Sequence, residues 1–189
     1  LAVLYQQGRL PQQRIFLDSP MAISVSDIYC RYSSEHRLSQ DQCNSMCHAT
    51  TFTRSVDESK AIYEQHFPHI IIAGSGMATG GRILHHFKRL LSDHRTTVLF
   101  TGYQAGGTRG AKMLEGAEYI KIHGEWIPNR ARVEVMHGLS GHGDYVDIEH
   151  WLKQSALKEK TKIRLVHGDP DALEGMCDHL RRTTKHNVE

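Results

Sequence analysis

The apolar run His69-Ile-Ile-Ile-Ala73 passes straight into GSGMATGGR, Gly74 to Arg82, and then into a stretch where Ile83, Leu84, Phe87, Leu90 and Leu91 recur at helical spacing. A short continuous apolar run reads as a parallel strand covered on both faces, and the periodicity after it reads as an amphipathic helix. The glycine-rich turn between them leaves backbone N–H groups to face an anion, aided by the helix dipole. The same order returns in TVLFT, Thr97 to Thr101, followed by GYQAGGTRGAKMLEG from Gly102 to Gly116. There Gly106, Gly107 and Gly110 flank Thr108 and Arg109 at a helix start, a second candidate anion nest. Upstream, Arg14 to Leu17 is a short strand that stops at Asp18-Ser19-Pro20, where Asp18 or Ser19 suits the cap of a helix over Ala22 to Tyr32. Tyr119 to His123 alternates, Gly124-Glu125 turns the chain, and Trp126-Ile127 begins a return. This repetition predicts an α/β fold, a largely parallel sheet flanked by helices and carrying a hairpin.

At 189 residues the chain is long enough for a substantial core. A mean hydropathy of -0.46 describes a soluble globular chain, and no apolar run approaches the roughly 20 residues that cross a bilayer. No membrane partner is expected, and the expected location is the cytoplasm. Net charge of +2 is too small to argue for a polyanion by itself. Cys30, Cys43, Cys47 and Cys177 make no paired C-x-x-C, and a chain of this size folds without disulfides. Cys43 and Cys47, with His48 beside them, are spaced to share a helix face as ligands, although cysteine is commonly a small buried apolar residue. A helix over Gln40 to Ala49, a second over Asp57 to His66 opened by the Ser55/Glu58 capping box and ended by Pro68, and a third opened by Asp171/Glu174 and running to Thr183 complete the local reading. A nucleotide-cofactor site is disfavoured. In G-x-G-x-x-G terms Gly74 and Gly76 match, but Thr79 holds the third place and Asp93 lies near a helix end.

Two histidines sit just beyond apolar runs. Ala131 to Met136 alternates as a half-buried strand and leads to His142, with Asp144 as N-cap ahead of Tyr145, Ile148 and Leu152 at helical spacing. Ile163 to Val166 delivers His167 to a turn of Gly168, Asp169 and Pro170. Two strands of one parallel sheet would bring both imidazoles to the same edge. With 14 histidines in the chain, coincidence is the competing explanation.

SGHGD before a helix, with LVHGD about two dozen residues later, resembles the last two histidine motifs of the β-CASP branch of the metallo-β-lactamase superfamily, the nucleic-acid hydrolases. DSPMA after a strand is similar to the opening of the β-CASP domain, and the Gly74 to Arg82 loop, with the basic face His86, Lys88 and Arg89, resembles that family's glycine loop and helix. Taken alone, an ordinary strand-to-helix cap and a solvated helix face explain those residues equally well. The resemblance implies a Rossmann-like β-CASP domain over residues 1–130, and the C-terminal piece of a metallo-β-lactamase αββα domain over 131–189.

It further implies His142 beside the scissile phosphate as a catalytic group, His167 as a metal ligand, and Asp169 as the partner that orients its other ring nitrogen. Ser19, Gly74, Ser75, Gly76, Gly80, Gly81, Arg82, Gly107, Thr108 and Arg109 are the expected RNA or phosphate contacts. The family's H-x-H-x-D-H zinc motif is absent from these residues, and the chain starts at Leu1 rather than Met. The expectation is therefore part of a longer ribonuclease that uses two zinc ions. This part would bind RNA and close one side of the cleft, with the N-terminal metallo-β-lactamase portion as its partner and a homodimer allowed. Alone it should cut nothing; a non-catalytic RNA-binding module is the other reading.

Overall fold

The computed structural model describes residues 1–10, 13–65, 67–139, 141–158 and 160–189. After a short helix α1 (Ala2–Gln6) the chain enters β1 (Arg14–Asp18), in which Ile15, Phe16, Leu17 and Asp18 are all buried. Its burial follows from its place: β2 (Thr51–Phe52) and β3 (His69–Ala73) flank it, both parallel to it. Parallel neighbours require crossovers. The first is made by α2 (Pro20–Arg31) and α3 (Gln40–His48), the second by α4 (Val56–Ala61) and a 3-10 turn over Ile62–Glu64.

The helix starts obey the capping rules. Ser19 Oγ accepts from the Ala22 N–H at 3.3 Å with Pro20 next in line, while Ser39/Gln42 and Ser55/Glu58 each complete a capping box. The helix opened by Ser55 gives way at Ala61, and its expected end, His66, lies outside the described residues. Contrary to expectation, Cys30 on α2 and Cys47 on α3 form a disulfide, and Cys43 is wholly buried. Cys43, Cys47 and His48 thus do not assemble as ligands. Among the described residues no three His, Cys, Asp or Glu side chains come together to hold a metal.

α5 (Ile83–Leu90) connects β3 to β4 (Thr97–Phe100); α6 (Arg109–Leu114), β5 (Tyr119–Ile122) and β6 (Glu125–Pro128) then lead to β7 (Arg132–Val135). β4 and β7 pair in parallel, and β5 and β6 form an antiparallel hairpin. The hairpin turn falls on His123-Gly124, one residue earlier than the sequence suggested. Both residues have positive φ, 48° and 87°, as a two-residue turn that continues the strand twist requires. Leu84 and Phe87 from α5, and Leu91 just after it, meet Phe100, Met113, Ile120 and Ile122 in the principal core. Each such side chain contributes roughly 1.5–3 kcal/mol by leaving water.

Two strand expectations need correction. β3 is half-buried because it ends its three-stranded ladder, with Ile72 37 % exposed. β4 alternates instead of being covered on both faces: Val98 and Phe100 face the core, and Leu99 is 49 % exposed. The described strands also form separate ladders. Among the described residues none joins β3 to β4, so the architecture is α/β with parallel pairing throughout except for the hairpin.

The last part contains α7 (Tyr145–Gln154), β8 (Lys162–Ile163), α8 (Pro170–Thr183) and β9 (Asn187–Val188), packed around Leu152, Leu180 and Val188. α8 starts at Pro170 with Asp169 at its N-cap, so the expected Asp171/Glu174 box is not what opens it. No helix among the described residues is long and apolar enough to cross a membrane.

Candidate nucleic-acid interface

β1 and β3 end side by side, Asp18 in register with Ala73, so the loops that follow them meet outside the carboxyl ends of two parallel strands. They enclose an open cleft of about 410 Å³ whose lining includes Ser19, Met21, Gly74, Ser75, Gly81 and Arg82. The approach of the loops is close enough to demand glycine. A Cβ on Gly74 would stand 2.8 Å from Ser19 Oγ.

Beneath the cleft floor lies a polar network centred on Asp18, which has no exposed surface. Its Oδ1 accepts from Thr53 Oγ1 at 2.5 Å and from Arg82 Nη1 at 2.6 Å; its Oδ2 accepts from Ser59 Oγ at 2.5 Å and His86 Nε2 at 2.7 Å. Arg82 also reaches the carbonyls of Thr53 and Arg54, at 2.9 and 3.2 Å. Tyr63 Oη donates to His86 Nδ1 at 2.5 Å, and Arg89 stacks 4.5 Å over the Tyr63 ring. Burial by itself would raise the Asp18 pKa, but the donors from Ser59, Thr53, Arg82 and His86 outweigh it and hold the carboxyl below its ordinary value. Burial lowers the His86 pKa more than the adjacent carboxylate raises it, so this imidazole is neutral and donates through Nε2. Burial pushes the Tyr63 hydroxyl up to about 12.

This network overturns the basic helix face expected of His86, Lys88 and Arg89. His86 is buried, Lys88 pairs with Glu125 at 2.7 Å, and Arg89 lies on Tyr63. Sequence reasoning treated Asp18 as a candidate cap and missed its role as a hub, along with Thr53, Ser59 and Tyr63. The available signal was the spacing of Arg82 and His86, four apart and so on one side of the helix start.

The glycine loops are built differently from open anion nests. In the first, Ser75 Oγ accepts from the N–H groups of Thr79 and Gly80, both at 3.1 Å, which turns those donors inward. Its carbonyls are held by the second loop. Gln104 Nε2 donates to Gly76 O at 2.8 Å, the Gly110 N–H to Met77 O at 3.2 Å, and Arg109 Nη1 to Ala78 O and Thr79 O at 3.3 and 3.2 Å. Arg109 Nε meanwhile donates to Lys121 O on β5 at 2.7 Å. Thr108 caps α6 by accepting from the Ala111 N–H, and Gly107 supplies a φ of 80° just before it. The structure therefore makes Arg109, with Gln104 and Gly110, a support for the first loop, uses Gly107 and Thr108 to open α6, and leaves Ser19, Gly74, Ser75, Gly81 and Arg82 at the cleft itself.

A family model described as the Beta-Casp domain matches residues 1–113, and one described as the Zn-dependent metallo-hydrolase RNA specificity domain matches residues 126–189. The chain belongs to the β-CASP family. The ribonuclease TTHA0252 of Thermus thermophilus is 38 % identical over 180 residues, which is 92 % of this chain and 41 % of that protein. The transcription termination factor FttA of Methanocaldococcus jannaschii is 34 % identical over 137 residues, 69 % of this chain and 21 % of its own length. An RNase J-like protein of the same organism is 37 % identical over 116 residues, 61 % of this chain and 26 % of its own. The chain thus spans less than half the length of these β-CASP relatives.

In this β-CASP chain the two motif histidines lie apart from the first glycine loop in sequence, on exposed backbone. His142 precedes α7, whose start is fixed by a capping box between Asp144 and Asp147. His167 has a φ of 65° in the turn before α8, and Asp169 beside it is exposed. β7, which leads to His142, pairs with β4, whereas β8, which leads to His167, pairs with β9. Among the described residues, then, both imidazoles are not delivered from one sheet as expected. The run before His167 is also a poor strand: only Lys162–Ile163 is assigned, and Val166 is 78 % exposed.

Proposed function

We propose that this chain is the RNA-holding part of a zinc-dependent ribonuclease that works in the cytoplasm. The observation that carries the proposal is the cleft at the ends of β1 and β3, where Ser19 closes on Gly74 beside Ser75 and Gly81. Hydroxyl and main-chain groups of this kind hold a phosphate backbone without reading base sequence. The match to an RNA specificity domain and the likeness to a ribonuclease support RNA as the polymer. Binding of a labelled single-stranded RNA to the chain should weaken linearly in log–log terms with salt, by about 0.7 for each phosphate that a cation such as Arg82 neutralises. A salt-independent signal, or one unchanged by a bulky replacement of Gly74, would remove the cleft from the reading.

The matched family is Zn-dependent, and zinc activates water and steadies charge on a phosphate. His167 offers one imidazole, and one ligand does not make a catalytic zinc site, so the described residues do not fit the ion by themselves. We infer that in a complete protein His167 is one ligand among several, oriented through Asp169, and that His142 gives a proton to the departing oxygen. His167→Ala should then lower zinc content and turnover together. His142→Ala should leave zinc in place and slow single-turnover cleavage by about 10²-fold or more. Equal zinc loss in both variants would reverse the assignment. RNA binding with no cleavage in the complete protein would favour a non-catalytic module.

A further inference from the structure

The β5–β6 hairpin has one face in the core and one in solvent. Ile120, Ile122 and Ile127 are buried, while the register pairs Tyr119 with Pro128 and Lys121 with Trp126 on the other side. On that outer side Tyr119 is 54 % exposed and Trp126 64 % exposed, and Lys121 Nζ stands 5.8 Å from the centre of the indole ring. Two aromatic rings exposed on one side of a single hairpin, with a lysine over one of them, form a flat surface of the kind that contacts a partner. We propose that this face is a stacking platform for the bases of single-stranded RNA.

Three observations choose that occupant. The single charge on the face is positive, as a phosphate backbone running beside stacked bases requires. The nearby carboxylate of Glu125 shares the opposite face of the ladder with Ile122 and is paired with Lys88. The hairpin is also tied to the first glycine loop, because the guanidinium of Arg109 donates both to Lys121 O and to the carbonyls of Ala78 and Thr79. On this proposal an RNA strand held at the cleft extends toward the hairpin and stacks its bases on Trp126 and Tyr119. The proposal rests on the reading of this chain as an RNA holder, and adds base contacts to a cleft that would touch phosphate alone.

The test uses Trp126 as its own reporter. Trp151 is the other tryptophan in the chain, and Trp151→Phe leaves the hairpin indole as the sole emitter. Two probes of equal length and charge are compared, an oligoadenylate of about a dozen nucleotides and an abasic phosphodiester, since stacking needs a base and backbone binding does not. The oligoadenylate should quench the emission and the abasic strand should not. Trp126→Ala should weaken oligoadenylate binding by about tenfold and leave abasic binding and the melting temperature unchanged, with Tyr119→Ala acting in the same direction. Equal oligoadenylate affinity with and without Trp126, measured by the anisotropy of a labelled strand, sinks the platform while leaving the cleft reading intact. A chain that binds neither probe sinks both. A concentration-dependent dimer that Trp126→Ala dissociates assigns the face to protein and overturns the proposal.

Discussion

Asp18 keeps a full negative charge with no exposed surface, and the four side-chain donors that surround it make this tolerable. Removing the charge strands the guanidinium of Arg82, so Asp18→Asn should lose about 3 kcal/mol in denaturant unfolding. A loss below about 1 kcal/mol would mean that the pair is a solvated contact. The neighbouring His86 gives a pH signature. Its folded pKa lies below its ordinary 6.5, so its contribution is complete above pH 6.5. As pH falls below that value the unfolded chain takes up a proton that the folded chain refuses, and stability drops by up to about 1.4 kcal/mol per pH unit for this one group. His86→Gln should flatten the curve in that window; superimposable curves for parent and variant would show that His86 is not held neutral. Neither residue's role was legible in the sequence, because a buried carboxylate and a capping one look alike until the chain folds Thr53, Ser59 and Arg82 around it.

At the level of elements, local rules served well wherever the deciding contacts were local. The Ser55/Glu58 box, the Asp144 cap and Pro20 in the first turn of α2 were read from residues within one turn, while the Ser39 box was missed and α8 opens at Asp169 rather than Asp171. Burial of β3 and β4 was overestimated because coverage depends on distant neighbours, which the apolar runs HIIIA and TVLFT do not encode. The glycine loops were recognised, yet their polarity was misjudged: Ser75, Gln104 and Arg109 take up groups that looked free. The contact between Gly74 and Ser19 allows a clean test by double-mutant cycle. Gly74→Ala should cost about 1–3 kcal/mol through crowding, and Ser19→Ala about 1 kcal/mol through the lost cap. In the double variant the nearest Ser19 atom is Cβ, at an ordinary 3.5 Å. The two costs should therefore fall short of their sum by at least about 0.5 kcal/mol, and strict additivity would place the loops further apart than described.

Among the described residues one buried cluster is drawn from residues 78–127 and a smaller one lies around Leu152, Leu180 and Val188. The site expected from the sequence drew on separate regions: the motifs name candidate residues, whereas the distances between them depend on how separate ladders are joined. Leu180→Ala, costing about 2–5 kcal/mol, should speed amide exchange across α7, α8 and β9 and leave β5 and β6 protected. Uniform acceleration would instead make the whole chain one cooperative unit. Between the cleft and the hairpin the situation is the reverse, for Arg109 grips a loop with one nitrogen and a strand with another. A guanidinium is planar and stiff, so it acts as a spacer: a shift of the glycine loop is coupled to β5 through one rigid group and the hydrogen bonds on either side of it.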